Sequence, residues 1–288
     1  MHDFLHVLIH TFKDTIGLVP FLFLTYLAME YMEHKTAGTL QGVIKKAGKV
    51  GPLFGGLLGA IPQCGFSAAA SGFYAGRVIT MGTLMAVYLS TSDEMLPILL
   101  SEADTIGIPA ILKIVGLKAL IGILAGFAID LLIRPKKDEH EHIHEICEHD
   151  HCHCGEGSSV FKSALVHTGQ VTLFIVAITF VLNLLLEFGG ETVLESLILN
   201  KPVIGPILAG LVGLIPNCAS SVVLTRLFVE GAMSFAACMS GLLVNAGVGI
   251  LVLFRANHNK KENIRIVVIL YIISIVVSIL LQLFGITV

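Results

Sequence analysis

Long apolar runs alternate with short polar stretches along most of the chain. Three runs without a charged residue, 78–92, 166–186 and 266–286, approach the roughly 20 residues that a helix needs to cross the hydrocarbon core of a bilayer. Only helices and closed barrels satisfy every backbone polar group inside lipid, and runs of this length are helical. The pattern therefore predicts an all-α polytopic membrane protein.

The pattern is also duplicated. When the chain is shifted by 154 positions, GPLFGGLLGAIPQCGFS (51–67) aligns without a gap on GPILAGLVGLIPNCASS (205–221). Upstream, 10–30 pairs with 167–187 at a shift of 157, and downstream, 78–100 pairs with 232–254 at the shift of 154. We therefore expect a first transmembrane repeat over 1–133, a linker over 134–160 and a second transmembrane repeat over 161–288.

The duplicated segment is predicted to be two half-helices. A Gly-Pro pair opens each copy, and a second proline removes a helical hydrogen bond, so a helix of about 15 Å should end near Ile61 or Ile215. A second short helix should follow over 66–74 or 220–228. Two topologies fit this pattern: a kinked full span, or a re-entrant hairpin that enters and leaves on one side.

Loop charges distinguish these topologies, because Lys and Arg accumulate in cytoplasmic loops. By their Lys and Arg content the basic loops are 34–49, 134–162 and 255–265, with four such residues each, whereas the acidic loops 101–105 and 189–201 have none and one. Only re-entrant hairpins place all three basic loops on one side. Each repeat then has three full transmembrane helices plus one re-entrant pair of half-helices, and the two repeats are inverted. Inverted repeats with discontinuous helices are typical of secondary transporters.

The two hairpin tips carry matching polar groups. Amide, thiol and hydroxyl groups recur as the candidate substrate or ion ligands Gln63, Cys64 and Ser67 in the first copy, and Asn217, Cys218 and Ser221 in the second. Thiol and amide oxygen together suit a borderline transition metal. The alternative is that proline only ends the helix and cysteine is a small apolar filler.

A second candidate group lies in the following span. Asp93 and Glu94 are acids inside a predicted membrane helix, where ionisable groups are costly and usually functional. One of them could instead be neutralised by Lys113 of the next span, and Lys118 lies deeper in that span. The second repeat has no matching acid, and its polar residue in this region is Asn245.

The linker is rich in metal-binding side chains. Its composition predicts a disordered cytoplasmic segment that binds transition metals without a defined tetrahedral site. The ligands would be His140, His142, His144, Cys147, His149, His151, Cys152, His153 and Cys154. HEHIH over 140–144 matches the zinc-protease pattern, but such a match is expected by chance in this run.

The doubled P-x-C-x-x-S element, the chain length and the His-rich link resemble the ten-segment heavy-metal exporters related to the ArsP-type arsenical permeases, often labelled manganese or arsenic efflux proteins. The resemblance implies efflux across the cytoplasmic (inner) membrane of a bacterium, with Mn²⁺, another divalent metal or arsenic as cargo. Each tip here has one cysteine, which counts against three-thiol coordination of arsenite.

The sequence thus favours a secondary exporter of a divalent transition metal, Mn²⁺ first and Zn²⁺ or a similar ion next. The alternative is an exporter of arsenite, an organoarsenical or another small anion or neutral solute, and a membrane-embedded sensor or enzyme ranks lower. We expect no enzymatic activity and no required cofactor, because the metal is cargo and linker ligand. Expected partners are the lipid bilayer and the metal ion or small solute, with no nucleic acid, and a homodimer stays open.

Overall fold

The computed structural model describes residues 50–62, 64–92, 95–133 and 203–287, together with parts of 16–27 and 161–180. The elements in these ranges are α-helices. In the first repeat they are α1 Gly51–Gly59, α2 Cys64–Ala75, α3 Met81–Ser90, α4 Met95–Ser101, α5 Ala103–Ile106 and α6 Ile108–Leu132. In the second they are α7 Ile204–Gly213, α8 Cys218–Val229, α9 Phe235–Val244, α10 Gly249–Ala256 and α11 Lys260–Leu283.

Three stretches are long and apolar enough to cross a membrane: Ile108–Leu132, Phe235–Ala256 and Lys260–Leu283. Within the most apolar 18 residues of each stretch, 33% of the residues are buried in the first and 28% in the third, whereas 94% are buried in the second. Apolar helices with such exposed surfaces need a lipid solvent, and α6 and α11 are therefore peripheral while α9 and α10 form the centre. The predicted all-helical membrane class is confirmed.

The helices of the second repeat reproduce those of the first. Helix α2 begins at Cys64 and α8 at Cys218, and α3 begins at Met81 and α9 at Phe235, which is the spacing of the sequence repeat. In the last long helix the spacing shortens by two residues. The buried positions of α6 and α11 then coincide pairwise: Ile111 with Asn263, Ile114 with Ile266, Lys118 with Leu270, Gly122 with Ser274, Gly126 with Ser278 and Ile129 with Leu281.

Both predicted pairs of short helices are present, α1 with α2 and α7 with α8, and we call each pair a hairpin. Helix α1 ends at Gly59 and α7 at Gly213, within two residues of the expected ends. Helix α1 runs parallel to α3, since Gly51 lies against Thr83 and Gly59 against Ser90. The chain must therefore return to its starting level between these helices, and α2 carries it back.

The predicted spans over 78–100 and 232–254 each contain an interruption of the helix, although Phe235–Ala256 as a whole is long and apolar enough to cross a membrane. The helix stops after Ser90 and resumes at Met95, and it stops after Val244 and resumes at Gly249. Local hydrogen bonds replace the helical ones at both breaks. The Thr91 hydroxyl donates to the Val87 carbonyl, and the Asn245 side chain accepts from the Gly247 backbone N–H. We call these two interruptions the first break (91–92) and the second break (245–248).

The repeats exchange contacts across the centre. Helix α2 of the first hairpin packs on α10 of the second repeat, and α8 of the second hairpin packs on α4 of the first. The ends of α3 and α9 also touch. Each hairpin therefore packs on the opposite repeat, and both breaks lie next to the contact between α3 and α9.

Both hairpins end in the same turn. After α2, the backbone N–H groups of Arg77 and Val78 donate to the carbonyls of Tyr74 and Phe73, and after α8 those of Gly231 and Ala232 donate to Phe228 and Leu227. This is a Schellman motif, whose penultimate residue takes a left-handed conformation. Arg77 has φ 58° and Gly231 has φ 73°. Thr80 and Ser234 then cap α3 and α9.

Candidate functional site

A small cavity lies where the two breaks meet. It is lined by Thr91, Ser92, Met95, Lys118, Ser221, Leu242 and Asn245. The first four belong to the first repeat and the others to the second. The breaks free backbone carbonyls at the ends of α3 and α9, and the lining adds hydroxyls, an amide and an ammonium. The cavity is therefore a polar site inside an otherwise apolar helical core.

Lys118 is fully buried near the middle of α6. Its ammonium donates a hydrogen bond to the Thr91 carbonyl at the end of α3 and another, of 2.8 Å, to the Leu242 carbonyl near the end of α9. The last carbonyls of a helix carry a partial negative charge of about half an electron. Two helix ends, one from each repeat, thus converge on one positive charge.

The second break is held by an amide network. The Asn245 side-chain N–H group donates to the Ser220 hydroxyl over 2.8 Å, and the Ser220 hydroxyl donates to the Asn217 carbonyl over 2.7 Å. Asn217 and Asn245 are both buried. The network therefore connects the tip of the second hairpin to the second break within one repeat.

The first hairpin instead reaches into the other repeat. Ser67 is fully buried against Gly249, the first residue of α10. One turn later, the Ser71 hydroxyl lies 2.7 Å from the Gly249 carbonyl and 2.7 Å from the Tyr88 hydroxyl, which itself lies 3.1 Å from that carbonyl. The carbonyl that begins α10 is therefore held by side chains of α2 and α3.

The structure brings together some of the predicted site residues. Ser221 and Asn245 line the central cavity, Asn217 lies next to it through Ser220, and Ser67 packs at the start of α10. Cys64 and Cys218 begin α2 and α8, but their side chains lie outside the described residues, as do Gln63, Asp93, Glu94 and all the linker ligands from His140 to Cys154. For those groups the prediction stays a prediction.

Within the ranges described, no three His, Cys, Asp or Glu side chains lie close enough together to hold a metal ion. The donors in the described lining are hydroxyl, amide and carbonyl oxygens and the Met95 thioether, which are neutral ligands. Lys113, considered above as a partner for Asp93 or Glu94, is exposed and donates to the Thr287 carbonyl over 2.7 Å.

Sequence reasoning missed several lining residues. Thr91 and Ser92 stand in the polar run YLSTSDEM, where only the acids were singled out, and Met95 and Leu242 look like ordinary core residues. A cluster of Ser and Thr that ends an apolar run is the signal of a helix break, because these side chains compete for backbone hydrogen bonds. The matching run VNAGV has an Asn and a Gly instead, which also fit a helix end, but neither run excludes a continuous span.

A second polar cluster lies away from the cavity, where α2 ends and α11 begins. The Arg77 guanidinium forms a bidentate pair with the Glu262 carboxylate over 2.7 and 2.8 Å, and the Tyr74 hydroxyl donates to the same carboxylate. Arg77 also lies over the Tyr74 ring, 5.4 Å from its centre. This cluster, Tyr74–Arg77–Glu262, joins the end of the first hairpin to the second repeat.

Comparison with known proteins gives one family. The sequence model of the family described as "Putative, 10TM heavy-metal exporter" matches residues 3–167, which is more than half of the chain. No curated protein and no solved structure matches. The matched range contains the first hairpin, the first break and Lys118. The chain therefore belongs to this family of ten-segment membrane exporters for heavy metals.

Proposed function

We propose that this protein is a secondary exporter that moves a divalent transition metal, Mn²⁺ first and Zn²⁺ or a similar ion next, out of a bacterial cell by alternating access. Membership of the exporter family supports transport. The single observation that carries the mechanism is the central cavity between two helix breaks, one from each repeat. Discontinuous helices that meet at a repeat interface are the usual construction of a transporter substrate site.

Inverted repeats are supported by contacts near both ends of the long helices. Arg77 touches Glu262 at one end of α11, and Lys113 touches Thr287 beyond the other. If the second hairpin crossed the membrane fully, five crossings would separate the partners in each pair, and they would lie on opposite sides. With a re-entrant hairpin four crossings separate them, so that each pair lies on one side.

Metal specificity is proposed to come from both repeats. The hydroxyl and amide groups of Ser67, Ser221, Asn217 and Asn245, with the acids Asp93 and Glu94, would form the hard ligands that suit Mn²⁺. The cysteines of the tips would favour Zn²⁺. The His- and Cys-rich linker would capture the metal at the cytoplasmic mouth.

A buried ammonium in the cavity favours a second candidate cargo. Lys118 lines the same space as Ser221 and Asn245, and a fixed positive charge attracts an anion. The alternative function is therefore export of arsenite, an organoarsenical or another small anion or neutral solute.

The experiment that tests the function is a growth panel. Cells that lack this protein are challenged with Mn, Zn, Co, Ni, Cu, Cd and arsenite, and complementation is scored with the wild type, with Cys64→Ala, with Asp93→Asn and with a chain lacking 138–154. We expect Mn²⁺ or Zn²⁺ to become toxic and both point variants to impair rescue more than the linker deletion. Sensitivity to arsenite alone would select the anion alternative, and sensitivity to none of them would reject metal export.

Topology is tested with an impermeant thiol reagent. Single cysteines are placed in 101–105 and in 255–265 of a chain without native cysteines. If the repeats are inverted, the cysteine in 101–105 and the cysteine in 255–265 should react from opposite sides of the membrane. Reaction of both from the same side would contradict it.

A further inference from the structure

We propose that the Lys118 ammonium is a tethered substitute for the transported cation: it occupies the cation position between the two breaks when no metal is bound, and the incoming metal displaces it. This inference rests on the proposed export of a divalent metal. It gives Lys118 a role in returning the unloaded transporter, beyond its place in the cavity lining.

The geometry makes the junction a cation position. Thr91 follows α3 and Leu242 is in the last turn of α9, and both helices are ten residues long. Their free carbonyls point at one Nζ atom, and each helix end carries a partial charge of about −0.5. Two such ends together place a partial charge of about −1 beside the ammonium. These carbonyls are also the groups with which broken helices coordinate transported cations.

The cation position is filled by a side chain of the first repeat, Lys118. The counterpart of Lys118 in α11 is Leu270, which is equally buried. The lysine therefore is not required by the packing of this helix position, since a leucine fills the same place in the second repeat. A fully buried ammonium costs several kcal/mol of desolvation unless it is paired and hydrogen-bonded. Its hydrogen bonds go to carbonyls of both repeats.

The hydrogen bond from Lys118 to the Leu242 carbonyl couples the position of the ammonium to the relative movement of the two repeats. Lys118 and Thr91 belong to the first repeat, and Leu242 belongs to the second, so relative motion of the repeats must break or remake this hydrogen bond. A divalent ion at the same carbonyls would be repelled by the ammonium at short range in a medium of low dielectric constant. Metal entry and lysine departure are therefore coupled. After metal release, the ammonium again balances the helix ends while the unloaded protein changes conformation.

This arrangement separates two transport modes. Exchange of metal for metal uses only the loaded protein, whereas net efflux also needs the unloaded protein to return. Removal of the ammonium should tighten metal binding and lower net efflux much more than it lowers exchange. A merely structural lysine would lower both modes together.

The test uses the full-length chain reconstituted in liposomes, with Mn²⁺ as the probe, and compares the wild type with Lys118→Met, Lys118→Arg and the matched control Leu270→Met. For Lys118→Met we expect Mn²⁺ to bind about tenfold more tightly. We expect net efflux to fall at least about tenfold further than Mn²⁺–Mn²⁺ exchange, relative to the wild type. Lys118→Arg should restore part of the net efflux, and Leu270→Met should change neither mode.

The proposal is overturned if Lys118→Met binds Mn²⁺ no more tightly, or if exchange and net efflux fall in parallel. Loss of arsenite binding in Lys118→Met would also overturn it and would assign the lysine to an anion. If Lys118→Met does not fold, the wild type provides a second test. Acetylation of Lys118 by acetic anhydride, measured by mass spectrometry, should increase when Mn²⁺ is added. Unchanged acetylation contradicts displacement. A wild type that neither binds nor moves any metal rejects the proposed function instead.

Discussion

The ends of the two hairpins have the same backbone and different side chains. Both close with the same pair of hydrogen bonds and a residue in the left-handed region, which is Arg77 in the first repeat and Gly231 in the second. Glycine is the usual residue there, because a Cβ costs about 1 kcal/mol or more in this conformation. The first hairpin keeps an arginine in spite of that cost.

The difference shows what the arginine contributes. Its guanidinium forms the two hydrogen bonds to Glu262, which belongs to the opposite repeat, and only about one fifth of either side chain is exposed. Gly231 has no side chain with which to make a similar contact. The first hairpin is thus attached to the second repeat at its end as well as along α2, whereas the second hairpin contacts the first repeat along α8.

The largest effect is expected when the charge of Glu262 is removed. Glu262→Gln leaves the Arg77 guanidinium and the Tyr74 hydroxyl with a weaker acceptor, and we expect a loss of about 2–3 kcal/mol in stability, because both partners of the pair are largely buried. The loss is measured as a decrease in the melting temperature of the purified protein in detergent. The matched control is Glu230→Gln at the exposed end of α8, where a change within about 0.5 kcal/mol is expected.

Equal effects of Glu262→Gln and Glu230→Gln would contradict the comparison between the hairpin ends. The double variant Arg77→Gln with Glu262→Gln provides a stricter test. Its loss should be smaller than the sum of the two single losses, since each single change already breaks the same pair.

A smaller effect is expected at the contact between the first hairpin and α10. A Cβ at Gly249 would lie 2.9 Å from the Cβ and 2.9 Å from the backbone oxygen of Ser67, so Gly249→Ala forces two helices of different repeats apart. We expect a loss of about 1–2 kcal/mol. The control is Gly116→Ala in α6, where a Cβ meets nothing within 4 Å and alanine should be neutral or stabilising.

The prediction for Gly249→Ala also tests whether the two hairpins approach the opposite repeat equally closely. At the place of Gly249 the first repeat has Met95, which lines the cavity beside Ser221. If Gly249→Ala were tolerated as well as Gly116→Ala, the tight approach of Ser67 would not contribute to stability. The two hairpins would then be more alike than the structure indicates.

The smallest effect isolates the backbone of the turn. Gly231 has open space where a Cβ would stand, so Gly231→Ala reports only the cost of the left-handed conformation, about 1 kcal/mol. In the first hairpin, Arg77→Ala and Arg77→Gly both remove the ion pair, but only alanine keeps the strain. Arg77→Gly should therefore be the more stable by a similar amount. Thermal unfolding of the three variants measures both differences.

The sequence predicted the hairpins because proline has a local effect. Pro62 and Pro216 cannot donate a helical hydrogen bond, and both half-helices end just before them. The alternation of apolar runs predicted the helical membrane class for a similar reason. An apolar run long enough to cross the bilayer can be recognised from local composition alone.

The breaks and the central cavity could not be predicted in the same way. Thr91 and Asn245 favour a helix end only because nearby backbone groups accept or donate there, and an apolar run with two polar residues fits a continuous span equally well. Lys118 was recognised as deep, but its acceptors, the carbonyls of Thr91 and Leu242, carry no sequence signature. The Arg77–Glu262 pair joins residues 185 positions apart, which no local pattern connects.

The packing of α2 on α10 also sets an order of events during synthesis. Ser71 bonds to a carbonyl that the ribosome adds 178 residues later, so at about 5–20 residues per second the first hairpin waits roughly 10 to 35 s for its partner. Throughout that interval the surface of α2 that α10 later covers faces lipid or another protein, although the Ser71 hydroxyl can already bond to the Ser67 carbonyl and the Tyr88 hydroxyl. The nascent first half is therefore the stage at which insertion factors and membrane proteases have the most time to act on this chain.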